Sequence, residues 1–252
     1  MDPPVLRRLS SRLAALFEKP DVYVFFMEYT AEHRESAWAV LAPFVRRLFP
    51  GHPVRWIVVD NAYERDGDVP PRAGVEAMAG DRSSREFSGL DTGIAFVRRK
   101  HRPDPGAILV LVNDTFHRSY GTDYLRLFPP WSVRAAVRRG EAVGYVDCYP
   151  TEVRVLDLPL RCWIRTSLVI LSVGVLDAVG KLALPIEDER IFGGLDRFFL
   201  DDAPLSENYR GYLRAWLFGE ERSGYPERWH SHAAPTPENL AALQAKARSI
   251  LC

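Results

Sequence analysis

Long apolar runs are missing from this chain of 252 residues: no stretch approaches the roughly 18 apolar residues of a membrane-spanning helix. An excess of one charge is missing too, since 33 basic residues face 33 acidic ones. That balance removes any global argument for nucleic acid or an anionic membrane as partner. Cysteine is scarce: Cys148, Cys162 and Cys252 are too few and too widely spaced for a disulfide framework or a zinc ribbon. They predict a reducing, intracellular setting. Lysine is rarer still against arginine, with four lysines and 29 arginines. The skew supplies planar forks suited to phosphate and carboxylate. Three motifs are absent as well: G-x-S-x-G, the P-loop, and a G-x-G-x-x-G after a strand. Their absence argues against a serine hydrolase of that type, a P-loop NTPase and an ordinary dinucleotide oxidoreductase.

What is present suffices for a substantial core, with 47% hydrophobic and 26% charged residues. Val5, Leu6, Leu9, Leu13, Leu16 and Phe17 fall at helical spacing beside Arg7, Arg8 and Arg12. They predict a basic amphipathic helix over 1–20 that packs on its own domain or lies on a membrane surface. Polar residues interrupt it throughout, unlike a signal peptide. A strand follows at 22–29, then a helix capped by Thr30, with Ala37, Leu41, Phe44 and Leu48 on one face. Pro43 should kink that helix, and Pro50-Gly51 should end it. A second strand occupies 54–60, an aperiodic segment at 64–86 reads as a long loop, 88–100 as a helix and "GAILVLVNDTF" at 106–116 as a third strand. This alternation predicts a parallel α/β sheet.

The second half is less regular. A helix closed by Gly140, a strand "EAVGYVDCYP", another "EVRVLDL" and a strand-to-helix passage near Ser172 come in turn. Two further helices are expected, one carrying Tyr209, Leu213 and Leu217, the other starting at Thr236-Pro237. His230 and His232 in "RWHSH" lack a partner at finger spacing and read as loop residues.

Three strand ends turn polar: Glu28-Tyr29-Thr30, Asp60-Asn61 and Asn113-Asp114-Thr115. An aspartate at a strand end can simply close a turn. In an open parallel sheet, however, ligands bind beyond the carboxyl ends of the strands. Three such ends, with a helix starting at Ser88-Gly89 between the second and third, point to one ligand edge.

"IVVDN" at 57–61, "FSGLDTGIAFVRR" at 87–99 and "LVNDT" at 111–115 together resemble glycosyltransferases of the GT-A fold, in particular family-two-like enzymes of bacterial polysaccharide synthesis. The resemblance implies a GT-A-like (Rossmann-like), mostly parallel central sheet flanked by helices, with a C-terminal helical extension. It implies domains at 1–20, 21–220 and 221–252, the middle one catalytic. By the same resemblance Thr30, Asp60, Asn61, Gly89 and Asp91 hold the nucleotide of a nucleotide-sugar donor. Asn113, Asp114 and Arg165 meet its diphosphate or sugar, with Arg161 a further candidate. Asp114 would be the ligand of a divalent cation, Mg or Mn. The first acid of the family's D-x-D pair is Val112 here, which leaves one carboxylate. "FFLDDAPLSENYR" at 198–210 resembles the later acidic motif and implies Asp202 as catalytic base, then Asp201. Asp147 and the acids of "IEDER" at 186–190 are rivals for that role. The activity implied is inverting transfer of a sugar to a saccharide or lipid-linked saccharide, in the cytoplasm or at the inner face of the membrane. Nucleic acid is not an expected partner. The missing acid at Val112 favours the other candidate function, a non-catalytic GT-A-like module that binds a glycan or another subunit.

Overall fold

The computed structural model describes residues 19–81, 83, 85–118, 121–184, 186–218 and 234–251. The amphipathic helix expected over 1–20, apart from its last two residues, and the histidines at 230 and 232 lie outside the described residues.

Six strands form one sheet: β1 Val22–Glu28, β2 Val54–Asp60, β3 Glu76–Ala79, β4 Ile108–Asn113, β5 Val143–Val155 and β6 Leu158–Ser172. Their order is β3-β2-β1-β4-β6-β5. The pairs β1–β2, β1–β4 and β2–β3 are parallel, whereas β4–β6 is antiparallel. All seven residues of β1 are buried, as expected for a central strand covered on both faces. The helices are α1 Arg34–Leu48, α2 Arg85–His101, α3 Pro130–Arg138, α4 Val173–Val179, α5 Glu207–Phe218 and α6 Leu240–Leu251. The fold is therefore α/β, with a mostly parallel mixed sheet flanked by helices.

The chain divides into two compact units. Unit one comprises the residues up to Gly80, Thr92–Tyr145 and Thr166–Gly180; unit two comprises Asp81–Asp91, Val146–Arg165 and the residues from Lys181 on. The span 21–220 contains parts of both. In unit one, alternate residues of the central strands, among them Val22, Val24, Phe26, Val58, Val110 and Val112, join Leu41, Phe44 and Val137 in one apolar cluster. The other face is packed so closely that a Cβ on Gly93 would sit 2.8 Å from Val59 Cγ2 and 3.0 Å from Phe25 Cδ1. Only glycine lets α2 approach the sheet there. Unit two has its own cluster, rich in aromatics: Tyr149, Phe192, Phe198, Phe199 and Tyr209 pack with Leu213, Leu217 and Ala247.

Several boundaries differ from the sequence expectation. The loop at 64–86 hides β3, only four residues long and too short to show a period. "EAVGYVDCYP" and "EVRVLDL" are not two separate strands, because β5 runs through Pro150 to Val155 and then turns into β6 at Leu156-Asp157. Both turn residues have positive φ, +49° and +68°. Such turns usually advertise themselves with Asn or Gly, which are absent here. The hairpin brings Cys148 and Cys162 together as a disulfide, with Cα atoms 3.9 Å apart. The spacing argument against pairing is thereby corrected, and the cysteines no longer argue for a reducing compartment. The last helix starts at Leu240 rather than at Thr236-Pro237, and the Asn239 side chain accepts the Thr236 N–H at 2.7 Å. Ser172 does end β6 and cap α4, accepting from the Val175 N–H at 3.3 Å.

Candidate functional site

Parallel register puts the carboxyl ends of β1, β2 and β4 side by side in unit one: Glu28 stands opposite Asp60, and Met27 opposite Asn113. The ladder continues past the strands, since the Asn61 N–H donates to Glu28 O at 2.8 Å and the Asp114 N–H to Met27 O at 2.9 Å. Asp60, Asn61, Asn113 and Asp114 thus share one edge, with Thr30 just beyond β1.

Two buried acids on this edge face two arginines. Arg72 clamps Glu28 with both terminal nitrogens, at 2.8 and 2.7 Å, and reaches Asp60 Oδ2 at 3.2 Å. Arg34 adds Nε at 3.0 Å from each Glu28 oxygen and Nη2 at 3.6 Å from Asp60 Oδ2. The side chains of Glu28 and Asp60 are 1% and 2% exposed, so their charges need these partners. Burial, and then the neighbouring Glu28 charge, push the Asp60 carboxyl above its usual value; the Ala62 N–H at 2.9 Å and the two arginines oppose this. Hydrogen bonding to Glu28 raises Arg34. Local chain geometry delivers both cations. Arg34 opens α1 six residues after β1 ends, and Arg72 sits on a tight turn closed by Gly74 at φ +70°, just before β3.

Asp114 is fully buried, and its Oδ2 accepts the N–H groups of Tyr29 at 2.9 Å and Thr30 at 3.4 Å. It closes the turn after β1, while Oδ1 has no hydrogen-bond partner. Asn113 is half-buried and accepts the Thr115 hydroxyl at 3.2 Å. Asn61 is buried, with neither amide atom bonded, and its Oδ1 lies 1.7 Å from where a Cβ on Gly80 would stand. A Mg or Mn ion keeps several waters or phosphate oxygens about itself. The Asp114 oxygens are enclosed by protein and leave no open side for them. Among the described residues, no three His, Cys, Asp or Glu side chains converge as metal ligands. Asp114 as placed does not fit that role.

The remaining predicted residues belong to unit two. Gly89 is buried in α2, and the Asp91 carboxylate accepts the N–H groups of Leu182 and Ala183, each at 3.0 Å. Arg165 forms a two-pronged ion pair with Asp147, its Nη2 3.0 Å from Oδ1, and Arg161 is exposed. Asp201 is exposed and pairs with Arg197 at 2.9 Å. Asp202 lines a cavity of about 670 Å³ together with Arg154, Asp157, Glu189 and Arg190. Of the rival "IEDER" acids, Asp188 is held by Arg248.

Glu28, Arg34 and Arg72 escaped the sequence argument as site residues. Glu28 ends an apolar run and carries a weak signal; Arg72 lies in an aperiodic segment and carries none. Comparison of the chain with protein-family models, with curated proteins and with solved structures gave no match.

Proposed function

We propose that the chain is a nucleotide-sugar-dependent glycosyltransferase, inverting, acting in bacterial surface polysaccharide synthesis. The observation that carries this reading is the in-register convergence of three polar strand ends on one edge of a parallel sheet, where ligands of such sheets bind. Asn61 supports it. Its buried amide has donor and acceptor both unpaired, and the edge of a nucleobase offers the matching pair; meeting it requires Gly80, packed against Oδ1, to shift. Asp60 and Asn61 hold the nucleoside, and Asn113 borders the donor. Asp202 takes the proton of an acceptor hydroxyl as its oxygen attacks the anomeric carbon and the bond from that carbon to the nucleoside diphosphate breaks, releasing the diphosphate, with Asp201 the second choice as base. The acceptor is a saccharide or a lipid-linked saccharide at the cytoplasmic face of the membrane. Among the described residues no helix is long and apolar enough to cross that membrane. A divalent ion enters with the donor's diphosphate and is not held by Asp114.

Thermal unfolding against UDP-, GDP- and dTDP-sugars, with and without Mn²⁺, tests the reading. A true donor raises the melting temperature by mass action, and Asn61→Ala removes that rise. A second reading, a GT-A-like module that binds a glycan or a subunit without catalysis, draws on Glu28, Asp60 and Asp114 being already engaged by protein groups. No shift with any nucleotide, together with binding to a polysaccharide, would favour it.

A further inference from the structure

The opposite edge of the same sheet carries a cavity of about 330 Å³, lined wholly by unit one. Its walls are the segments that precede the parallel strands and the residue that ends the antiparallel one: Pro20 before β1, His52 before β2, Gly106 before β4, and Ser172 at the end of β6. Ile108 and Val137 give it an apolar floor. Arg134 and Arg138, four apart on α3, stand on one side. Among the described residues no acidic one lines it. The unit-two cavity differs in this respect, with three acids and two arginines in its wall.

Arg138 is not spoken for here. Arg138 makes no hydrogen bond or ion pair among the described residues, and Arg134 donates one, from Nη1 to Leu48 O at 2.8 Å. Glu141, the acid nearest in sequence, is taken by Arg139 at 2.7 and 2.8 Å. His52 uses Nδ1 on Pro20 O at 2.9 Å, which leaves Nε2 for another partner. The Ser172 oxygen accepts the Val175 N–H and still has a proton to donate. Like charges one helical turn apart repel each other, a cost that an anion between them would remove. The His52 ring responds to the same field: burial first, then the charges of Lys19, Arg134 and Arg138, hold its pKa below the usual value.

We propose that this cavity binds a small phosphate monoester with a short apolar body, the phosphate on Arg138, Arg134 and His52 and the body over Ile108 and Val137. Guanidinium forks match phosphate geometry, and the apolar floor separates an ester from free phosphate. The site is separate from the Asp60 edge, so it stands or falls independently of the glycosyltransferase reading.

Isothermal titration of the full chain with phenyl phosphate, inorganic phosphate and benzoate tests the proposal. Phenyl phosphate is expected to bind more tightly than either of the others. Arg138→Gln should weaken it roughly tenfold or more, the loss of a charged hydrogen bond, without lowering the melting temperature. Arg126→Gln, at an exposed arginine outside the cavity, should leave binding unchanged. Undetectable binding at millimolar phenyl phosphate would overturn the site. So would equal weakening by the two variants, the mark of diffuse attraction to surface arginines, and so would benzoate or inorganic phosphate binding as tightly as the ester.

Discussion

At the carboxyl edge of the unit-one sheet Glu28 and Asp60 are answered by arginines; at the amino edge Arg138 has no hydrogen bond or ion pair among the described residues, and Arg134 meets only the Leu48 carbonyl. Glu28 and Asp60 lie at 1% and 2% side-chain exposure and are gripped by Arg34 and Arg72. Arg138 and His52 face a cavity with no acid among the described residues of its wall. The difference follows from where each charge sits. A carboxylate taken out of water destabilises the fold by several kcal/mol unless paired, so its arginines serve the fold before any ligand. An arginine that keeps its head in water is not tied to the fold by such a demand and stays available to a ligand. An arginine at a strand-end network is therefore weaker testimony for a ligand than an unpaired one beside a cavity.

The largest break in this comparison is expected from Arg72→Ala. It strips the two-pronged clamp from Glu28 and should lower stability by about 3 kcal/mol in urea unfolding. Arg138→Ala, the matched change on the other edge, should stay within about 0.5 kcal/mol of the parent. Equal effects at the two edges would remove the distinction. Next in size is Asp114→Ala. By sequence alone a strand-end carboxylate contributes little packing, and its loss should touch transfer more than folding. Asp114 is instead fully buried and holds two backbone N–H groups, so the substitution should cost about 2 kcal/mol. Asp114→Asn, which keeps an acceptor, should cost less. If Asp114→Ala unfolds at the parental urea concentration, the turn-closing role is wrong.

How much of this was legible follows from what repeats along the chain. The strands β1, β2 and β4 are uninterrupted apolar runs with polar ends, so their existence, order and common edge could be read directly. Asp60, Asn61 and Asp114 were legible as strand-end residues for the same reason. What each side chain touches was not, because partners such as Arg72 and Thr30 come from segments without a period. The short β3 and the Leu156-Asp157 turn hid for related reasons, the first too brief and the second opening on a leucine, which seldom takes positive φ. The glycine pattern of "FSGLDTG" is legible in the sequence, but the packing of one of its glycines is not. The resemblance sets it beside a nucleotide, whereas Gly93 serves close packing of α2 on Val59 and Phe25. Gly93→Ala should therefore destabilise by about 1–2 kcal/mol whether or not a nucleotide is present. An effect seen only with nucleotide would return that glycine to the ligand.

The smallest effect sharpens the amino edge. His52 faces Lys19, Arg134 and Arg138, and its ring is hydrogen-bonded to Pro20 O. Burial first, and then those cations, lower its pKa in the folded protein. The unfolded chain therefore binds a proton here more readily than the fold does. Stability should rise as pH climbs through the folded pKa to about 6.5, the unfolded value, and the His52 contribution should be level above that. Melting temperatures between pH 5 and 8 check this, with His52→Gln expected to flatten the slope. An anion seated between His52 and Arg138 reverses the sign of the local field and favours the protonated ring. Phenyl phosphate should then lose less of its stabilising effect between pH 8 and pH 5.5 in the parent protein than in His52→Gln. The ester's second proton leaves near pH 6, so its own charge falls at low pH with either protein. The stabilisation that the parent keeps beyond that kept by His52→Gln is thus the part that belongs to the ring. If the two proteins respond alike, the ligand does not reach His52, and the arginines of α3 bind it alone.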